Sequence, residues 1–133
     1  MSIDALFLGG TSIDLIQEKQ RYKGGMPIFR ASVGGSITNS AIISAKLGLK
    51  TSLLSKIGTD PLGSFALCFL HSCWIDTNGI IQDSNIHTPL AIAKIDKSGV
   101  AKYTFYKNSS KDSVVPLKSV PKYLLNNCKV FHT

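Results

Sequence analysis

The sequence has no apolar run long enough to cross a bilayer. Its densest apolar segment, Phe65 to Leu70, is far shorter than the roughly 20 apolar residues that a membrane-spanning helix needs. At the amino terminus no basic segment precedes an apolar run, and Asp4 interrupts it early, so no secretory signal is indicated. We therefore expect a soluble, cytoplasmic protein with no membrane partner.

Cysteine is scarce, and the usual metal and nucleotide motifs are missing. The cysteines Cys68, Cys73 and Cys128 include no Cys-x-x-Cys pair, which argues against a zinc site and favours reduced thiols in apolar surroundings. The chain also contains neither Gly-x-Gly-x-x-Gly nor Gly-x-x-x-x-Gly-Lys-Ser/Thr. A dinucleotide fingerprint and a P-loop are therefore excluded.

Acidic residues are few, with 8 Asp and Glu against 15 Lys and Arg and a net charge of +7. A basic surplus can indicate nucleic-acid binding, but the lysines are spread from Lys19 to Lys129 without forming a run. We therefore expect a solvated basic surface and no nucleic-acid partner. Such a charge would still attract an anionic phosphate donor.

What the sequence does contain is the pattern of one α/β domain. Its 133 residues, 44% of them hydrophobic, suffice for a single core. Ala5 to Leu8 is a continuous apolar run, which is typical of a strand buried on both faces. A helix from about Ile37 to Leu47, ended by Gly48, and a second buried strand from Thr51 to Ile57 complete a parallel crossover unit.

A second helix and a separate set of strands follow from local signals. Asp60 and Pro61 begin the helix, and its apolar residues are expected to point inward: Phe65, Leu67, Phe69 and Leu70. Leu15 to Lys19 and Ile28 to Ser32 flank a glycine turn as a β-hairpin. Leu90 to Lys107 contains two more strand segments around a turn, so four strands are predicted to form a small second sheet.

The stretch from Val33 to Gly63 has the features of half of a small-molecule site. Gly34 and Gly35 remove side chains where a ligand could approach the backbone. Asn39 adds an amide that both donates and accepts hydrogen bonds, which suits a ligand rich in hydroxyls. The alternative is structural, because glycines before a helix also form an ordinary strand-to-helix turn.

Two further features belong to this predicted site. Ser36 or Thr38 is expected to cap the helix, so that its amino-terminal N–H groups and partial positive charge face the ligand. Asp14 stands in the loop just beyond the carboxyl end of the first strand, where open α/β sheets place their ligands.

The spacing of these residues resembles a known family. Gly34-Gly35, Asn39, Ala41, Gly48 and Gly58 fall at the intervals of the amino-terminal signature of the ribokinase-like (PfkB) carbohydrate kinases, and Gly58-x-Asp60-x-x-Gly63 continues that pattern. One position departs, since Ile37 stands where the family usually has Gly, Ala or Pro. A β-branched residue there narrows the room beside the glycines.

The resemblance implies a ribokinase-like α/β fold with a partial parallel-sheet core, helices, and a four-stranded β lid. The implied core segments are about 3–14, 33–86 and 116–133, and the lid segments are about 15–32 and 87–110. The carboxyl-terminal ATP-binding half of the family is expected to be absent from this chain.

The resemblance also assigns roles to residues. Asp14 matches the family's Asp that takes sugar hydroxyls, and Gly34, Gly35 and Asn39 would line the same sugar site. The segment Tyr103 to Lys107 resembles the second lid segment of the fructokinase and 2-keto-3-deoxygluconate kinase branches. Those branches usually carry Arg where Lys107 stands, and Lys lacks the bidentate fork that recognises a carboxylate, so a neutral sugar is favoured over a sugar acid.

The activity implied by the resemblance is transfer of the γ-phosphoryl group of ATP, with Mg²⁺, to a sugar hydroxyl. The family's catalytic base is the Asp of a Gly-Ala-Gly-Asp motif, which this sequence does not contain. We therefore expect the chain to be inactive alone and assign it no catalytic residue. Pairing of two β lids in a homodimer is also implied.

Two alternatives remain open from the sequence. The chain could be a non-catalytic module that binds a sugar or associates through its β edges, as the missing motif suggests. It could also derive from a nucleoside kinase, because those enzymes share the same architecture.

Overall fold

The computed structural model describes residues 2–21, 24–107 and 114–133. The strands in these ranges are β1 (Ile3–Leu8), β2 (Ser12–Arg21), β3 (Pro27–Gly34), β4 (Thr51–Gly58), β5 (Ile80–Asp83), β6 (Leu90–Ile95), β7 (Ala101–Tyr106) and β8 (Cys128–His132). The helices are α1 (Ser36–Lys46), α2 (Pro61–Ser72) and α3 (Lys122–Asn126), with a 3-10 turn at Leu117–Ser119. No helix in the described ranges is long and apolar enough to span a membrane.

The strands form two sheets of four strands each. The first, or core sheet, has the order β5-β4-β1-β8, and all its pairs are parallel. The second sheet has the order β3-β2-β6-β7, with a parallel central pair between two antiparallel pairs. The predicted α/β fold with a parallel core and a separate four-stranded sheet is therefore confirmed.

The boundaries of the proposed core and lid segments stay a prediction. The strand β2 begins at Ser12 and not at Leu15 as the sequence suggested. Residues 22–23 and 108–110, which the predicted lid segments include, lie outside the described residues.

The core sheet is covered on both faces, as its continuous apolar strands predict. On one face Phe7 and Leu53 pack with residues of α1 and α2. On the other face Leu6 and Leu54 pack against Leu124 of α3. Successive side chains of β1 and of β4 point to opposite faces of the sheet, so each strand packs against helices on both sides. Each fully buried leucine contributes about 1.5–3 kcal/mol relative to an exposed one.

The helix α2 faces the core with small residues and not with all its apolar ones. Gly63, Ala66 and Leu70 are buried, and their spacing of three and four places them on one helical face. The prediction that Phe65 points inward is wrong, because its side chain is 38% exposed. Phe65 lies off this face, since each residue turns the helix by about 100°.

A chain of buried hydroxyl groups joins the loop after β1 to α1 and β4. The Thr38 hydroxyl donates to the carbonyl of Gly10 at 2.9 Å and contacts the Thr11 hydroxyl at 3.0 Å, which in turn lies 2.9 Å from the Ser55 hydroxyl. Each hydroxyl has one proton. The direction is therefore fixed: Ser55 donates to Thr11, Thr11 donates to Thr38, and Thr38 donates to Gly10.

This arrangement corrects the predicted helix cap. The helix α1 begins after Gly35, and neither Ser36 nor Thr38 caps it with a side-chain hydrogen bond. The N-cap position is taken by Gly35, which has no side chain, and both Ser36 and Thr38 lie inside the helix.

The helix α2, in contrast, has a charged cap. The Asp60 carboxylate accepts the N–H of Gly63 at 2.9 Å and the N–H of Thr88 at 2.7 Å. Desolvation raises the pKa of this carboxyl, but hydrogen bonds from Thr88, Gly63 and Leu62 outweigh it and hold the pKa below its ordinary value of 3.8.

Replacing Thr11→Val tests the hydroxyl chain. Valine keeps the shape of threonine but leaves the Ser55 proton and a Thr38 lone pair without their partner, so we expect the free energy of unfolding to fall by about 1–3 kcal/mol. Urea unfolding of the 133-residue chain, followed by circular dichroism, measures this. Ser40→Ala is the control, since that hydroxyl bonds only the Ser36 carbonyl on the helix surface. Equal effects of the two variants would contradict the assignment.

Acid titration of stability tests the Asp60 cap. A carboxyl whose pKa is lower in the folded state stabilises the fold above its unfolded pKa and loses this contribution as the pH falls through the folded pKa. Asp60→Asn should therefore lower the free energy of unfolding at neutral pH by about 1 kcal/mol. The gap to the unmodified chain should close below about pH 4.

The difference between the two chains is the quantity to measure, because other carboxyls also titrate. Hydrogen bonds from Lys129, Lys56 and Ser98 lower the pKa values of Asp4, Asp83 and Asp96. Glu18→Gln serves as the control for removing one carboxylate. A gap between Asp60→Asn and the unmodified chain that does not depend on pH would show that the charge of Asp60 is not involved.

Candidate functional site

Asp14 lies inside β2 and not in the loop where the sequence placed it. It pairs with Ser32 of β3 and with Ala91 of β6, and the Ser12 hydroxyl donates to its carboxylate at 3.3 Å. The strand position fixes the direction of the side chain, because neighbouring strands hold β2 from both sides. The carboxylate is therefore held in place by the second sheet.

Other parts of the chain pack directly against the pair Gly34-Gly35 and leave no room for side chains there. A Cβ atom on Gly34 would overlap the Asp14 carboxylate, and one on Gly35 would overlap the carbonyl oxygen of Gly10. Gly35 also has a φ of 108°, a conformation that other residues resist. The space that these glycines leave is thus used by Asp14 and by the β1 end.

Asn39 lies in the first turn of α1, directly after the glycine pair. Its backbone N–H donates to the Gly35 carbonyl at 2.8 Å, and its side chain is exposed. The first turn contains no acidic residue. Asn39 therefore stands at a helix start whose partial positive charge is not offset by any carboxylate of the helix's own first turn.

The register of the second sheet adds an aromatic residue that the sequence had not singled out. Asp14 pairs with Ala91, and Ala91 pairs with Phe105, so these three side chains share one face of the sheet. The Phe105 ring is 67% exposed and stacks on Tyr103 with 6.0 Å between ring centroids. Phe105 lies two strand spacings, roughly 10 Å, from Asp14.

The alternation of side chains along the strand segment Tyr103 to Lys107 could have indicated that Phe105 shares a sheet face with Tyr103. Its odd-numbered residues share one face of a strand. The strand order that places this face beside Asp14 is a property of the tertiary structure.

Lys107 stands apart from the other predicted site residues. It follows the end of β7 and lines a cavity of about 580 Å³ together with Leu62, Leu90 and Tyr106. Leu90 and Tyr106 pair with each other, and Leu90 pairs with Ile13, so they lie on the face opposite Asp14. The structure thus brings together Asp14, Gly34, Gly35 and Asn39, while Lys107 lies two strands away.

The described residues offer no cluster suited to a metal ion, since no three His, Cys, Asp or Glu side chains among them lie together. The expectation of buried thiols holds for Cys73, but Cys68 is exposed on α2. Cys68 is exposed because it does not share the helical face of Ala66 and Leu70.

Comparison with known proteins gives many similar chains. A plant protein of Arabidopsis thaliana, named probable fructokinase-5, is 31% identical over 78% of this chain and 32% of its own length. The crystal structure of fructokinase from Xylella fastidiosa superposes with a TM-score of 0.89 over 99% of this chain and 41% of that one, at 24% identity. An uncharacterised sugar kinase from Pyrococcus horikoshii in complex with ATP gives a TM-score of 0.80 at 25% identity, over 96% and 41% of the chains.

The chain spans about a third of the length of the curated relatives that it matches. The family model of the pfkB carbohydrate kinases matches residues 3–133. Its match confirms the family expected from the spacing of the glycines and Asn39, and the chain belongs to the pfkB family of carbohydrate kinases.

Proposed function

We propose that this chain forms the sugar-binding portion and covering sheet of an ATP-dependent sugar kinase, which transfers the γ-phosphoryl group of ATP to a sugar hydroxyl. The observation that carries the proposal is the Asp14 carboxylate held beside Gly34, with the exposed Asn39 in the first turn of the helix that follows this glycine.

These groups match the chemistry of a sugar. A carboxylate accepts hydrogen bonds from two neighbouring hydroxyls, and an amide both donates and accepts them. The exposed Phe105 ring on the same sheet face offers an apolar surface to the C–H side of a sugar ring. Together they supply the polar and apolar contacts that a monosaccharide needs.

Fructose is the first sugar to test, because similar proteins carry the name fructokinase. We further propose that Lys107, which is exposed beyond the end of β7 and is not held to one face of the sheet, contacts only a substituent of the sugar that extends to that strand end. A single ammonium recognises a carboxylate less specifically than an Arg fork does, which favours a neutral sugar over a sugar acid.

The second sheet would act as a cover over the bound sugar. Exclusion of water matters for a kinase, because water competes with the sugar hydroxyl for the phosphoryl group. Because Asp14 and Phe105 belong to the same sheet, closure of that sheet would bring both side chains onto the sugar at the same time.

Within residues 2–21, 24–107 and 114–133, nothing identifies an ATP or Mg²⁺ site. The sequence has no P-loop, and the described residues contain no cluster of metal ligands. We therefore assign none of these residues to ATP or Mg²⁺. Phosphoryl transfer depends on groups aimed at the developing charge, so we propose that this chain alone binds sugar without turning it over.

A non-catalytic sugar-binding module is the second candidate function. The absence of a Gly-Ala-Gly-Asp motif from the sequence favours it. Turnover of ATP and fructose separates the two proposals. The first requires kinase activity once a second polypeptide supplies the missing catalytic residues. The second requires that no activity appears even then.

Asp14→Asn tests the sugar site. The substitution keeps the shape but removes the charge that strengthens hydrogen bonds to sugar hydroxyls, so we expect about tenfold weaker fructose binding. Titration of the isotope-labelled chain with fructose, followed by amide chemical shifts, measures the affinity. Glu18→Gln is the matched control, because it removes a carboxylate further along β2.

Asn39→Ala should weaken fructose binding in the same assay, while Glu18→Gln should leave it unchanged. The site assignment would be wrong if Asp14→Asn and Glu18→Gln behaved alike. A chain that shows no fructose-dependent shifts up to the solubility of the sugar would overturn both candidate functions.

Phe105→Ala tests the aromatic contact. Removing an exposed ring should leave folding nearly unchanged but weaken fructose binding about fivefold, which corresponds to about 1 kcal/mol. Phe29→Ala is the control, because Phe29 is also partly exposed but pairs with Gln17 on the opposite face of the sheet. Equal affinities of the two variants would exclude Phe105 from the site.

A further inference from the structure

The junction between the core sheet and the second sheet contains a compact set of hydrogen bonds around Asp60. One carboxylate oxygen accepts the Gly63 N–H at 2.9 Å and so caps α2. The other accepts the Thr88 N–H at 2.7 Å. The Thr88 hydroxyl accepts the N–H of Gly58 at 3.1 Å. The ends of α2, β4 and the segment that leads into β6 thus meet at one carboxylate and one hydroxyl.

Gly58 and Gly63 are both required here, because neighbouring backbone atoms lie too close to them for a side chain. A Cβ atom on Gly58 would lie 2.6 Å from the carbonyl oxygen of Ile86 and 2.9 Å from the N of Thr88. A Cβ atom on Gly63 would overlap the carbonyl oxygen of Gly58. The pattern Gly58-x-Asp60-x-x-Gly63 therefore has a structural purpose: it lets Asp60 hold the helix and Thr88 at the same time.

The bonds continue from Thr88 to the strand that carries Asp14. Pro89 follows Thr88, and its carbonyl accepts the N–H of Ile13 at 2.8 Å. Ile13 immediately precedes Asp14 and pairs with Leu90 of β6. A path of three residues thus connects the start of α2 to the start of β2.

Apolar packing is incomplete beside these bonds. A cavity of about 580 Å³ lies between the start of α2 and the second sheet, lined by Asp60, Leu62, Thr88, Leu90 and Tyr106. Where side chains do not fill the space, they do not fix the distance between two elements. Thr88 itself is only 3% exposed, so its hydrogen bonds are shielded from water and set that distance.

We propose that Asp60 and Thr88 form a clasp that fixes the start of β2 to the core and thereby positions the Asp14 carboxylate in the sugar site. The role of Asp14 rests on the function proposed above. Asp60 is a positioning residue: it acts through Thr88, Pro89 and Ile13 and needs no contact with the sugar.

Three variants separate the clasp from helix capping and from packing. Asp60→Ser keeps a side-chain oxygen that can cap α2 but removes the oxygen that holds Thr88. Thr88→Val keeps the shape of the side chain and removes its hydroxyl, and Thr88→Ser restores the hydroxyl. The clasp predicts that Asp60→Ser and Thr88→Val behave alike and that Thr88→Ser resembles the unmodified chain.

Hydrogen exchange of single amides in the 133-residue chain is the readout. In Asp60→Ser and Thr88→Val, exchange of the Ile13 amide should accelerate about tenfold, the effect of losing one hydrogen bond to a charged or buried partner. Two other amides should keep their exchange rates in these variants: that of Leu53 in the core sheet, which donates to the Asp76 carbonyl, and that of Ser64 in α2. A purely structural role would accelerate all three together.

The outcomes are distinct from those that test the sugar site. Unchanged exchange at Ile13, or equal acceleration at Ile13 and Leu53, overturns the clasp whether or not the chain binds fructose. Selective acceleration at Ile13 with rescue by Thr88→Ser supports it, and fructose affinity of the clasp variants should then fall in parallel with that of Asp14→Asn. If the unmodified chain does not bind fructose, the proposed function fails, while the exchange rates still decide the clasp.

Discussion

The contact between the Gly10 carbonyl and the start of α1 is the constraint on which the candidate site depends. Gly35 passes so close to this carbonyl that no side chain fits, and Thr38 donates its hydroxyl proton to the same oxygen. The end of β1 and the first turn of α1 are thereby held together. Because β2 begins two residues after Gly10 and Asn39 follows Thr38, this contact contributes to how Asp14 and Asn39 lie relative to each other.

Two residues that immediately precede or lead into strands of the second sheet are tied to the core. Thr11, directly before β2, bonds the hydroxyls of Thr38 and Ser55, and Thr88, which leads into β6, bonds Asp60 at the start of α2. Both ties are polar and buried or half-buried, so their geometry is directional in a way that apolar packing is not. Polar ties of this kind let a sheet keep a defined position beside a cavity that side chains leave unfilled.

Several parts of the fold could be predicted because their signals are local. The buried strands follow from continuous apolar runs, α1 ends at Gly48, and Asp60 with Pro61 begins α2. Predictions failed where the partner of a residue lies far along the chain. Thr38 was expected to cap its own helix but bonds Gly10 and Thr11, which are 28 and 27 residues away. Phe65 was expected in the core, but Ala66 and Leu70 face it instead.

The sequence by itself determined the family, the α/β class and four candidate residues, Asp14, Gly34, Gly35 and Asn39, because glycine positions, apolar periodicity and the spacing of Asn39 are local properties of the chain. The tertiary structure decided which of those residues meet. It placed Asp14 inside β2 against Gly34 and left Lys107 two strands away. It also put Phe105 on the face of Asp14 through the order of β2, β6 and β7. Strand order and register depend on pairing between distant segments, and no local pattern in the sequence specifies that pairing.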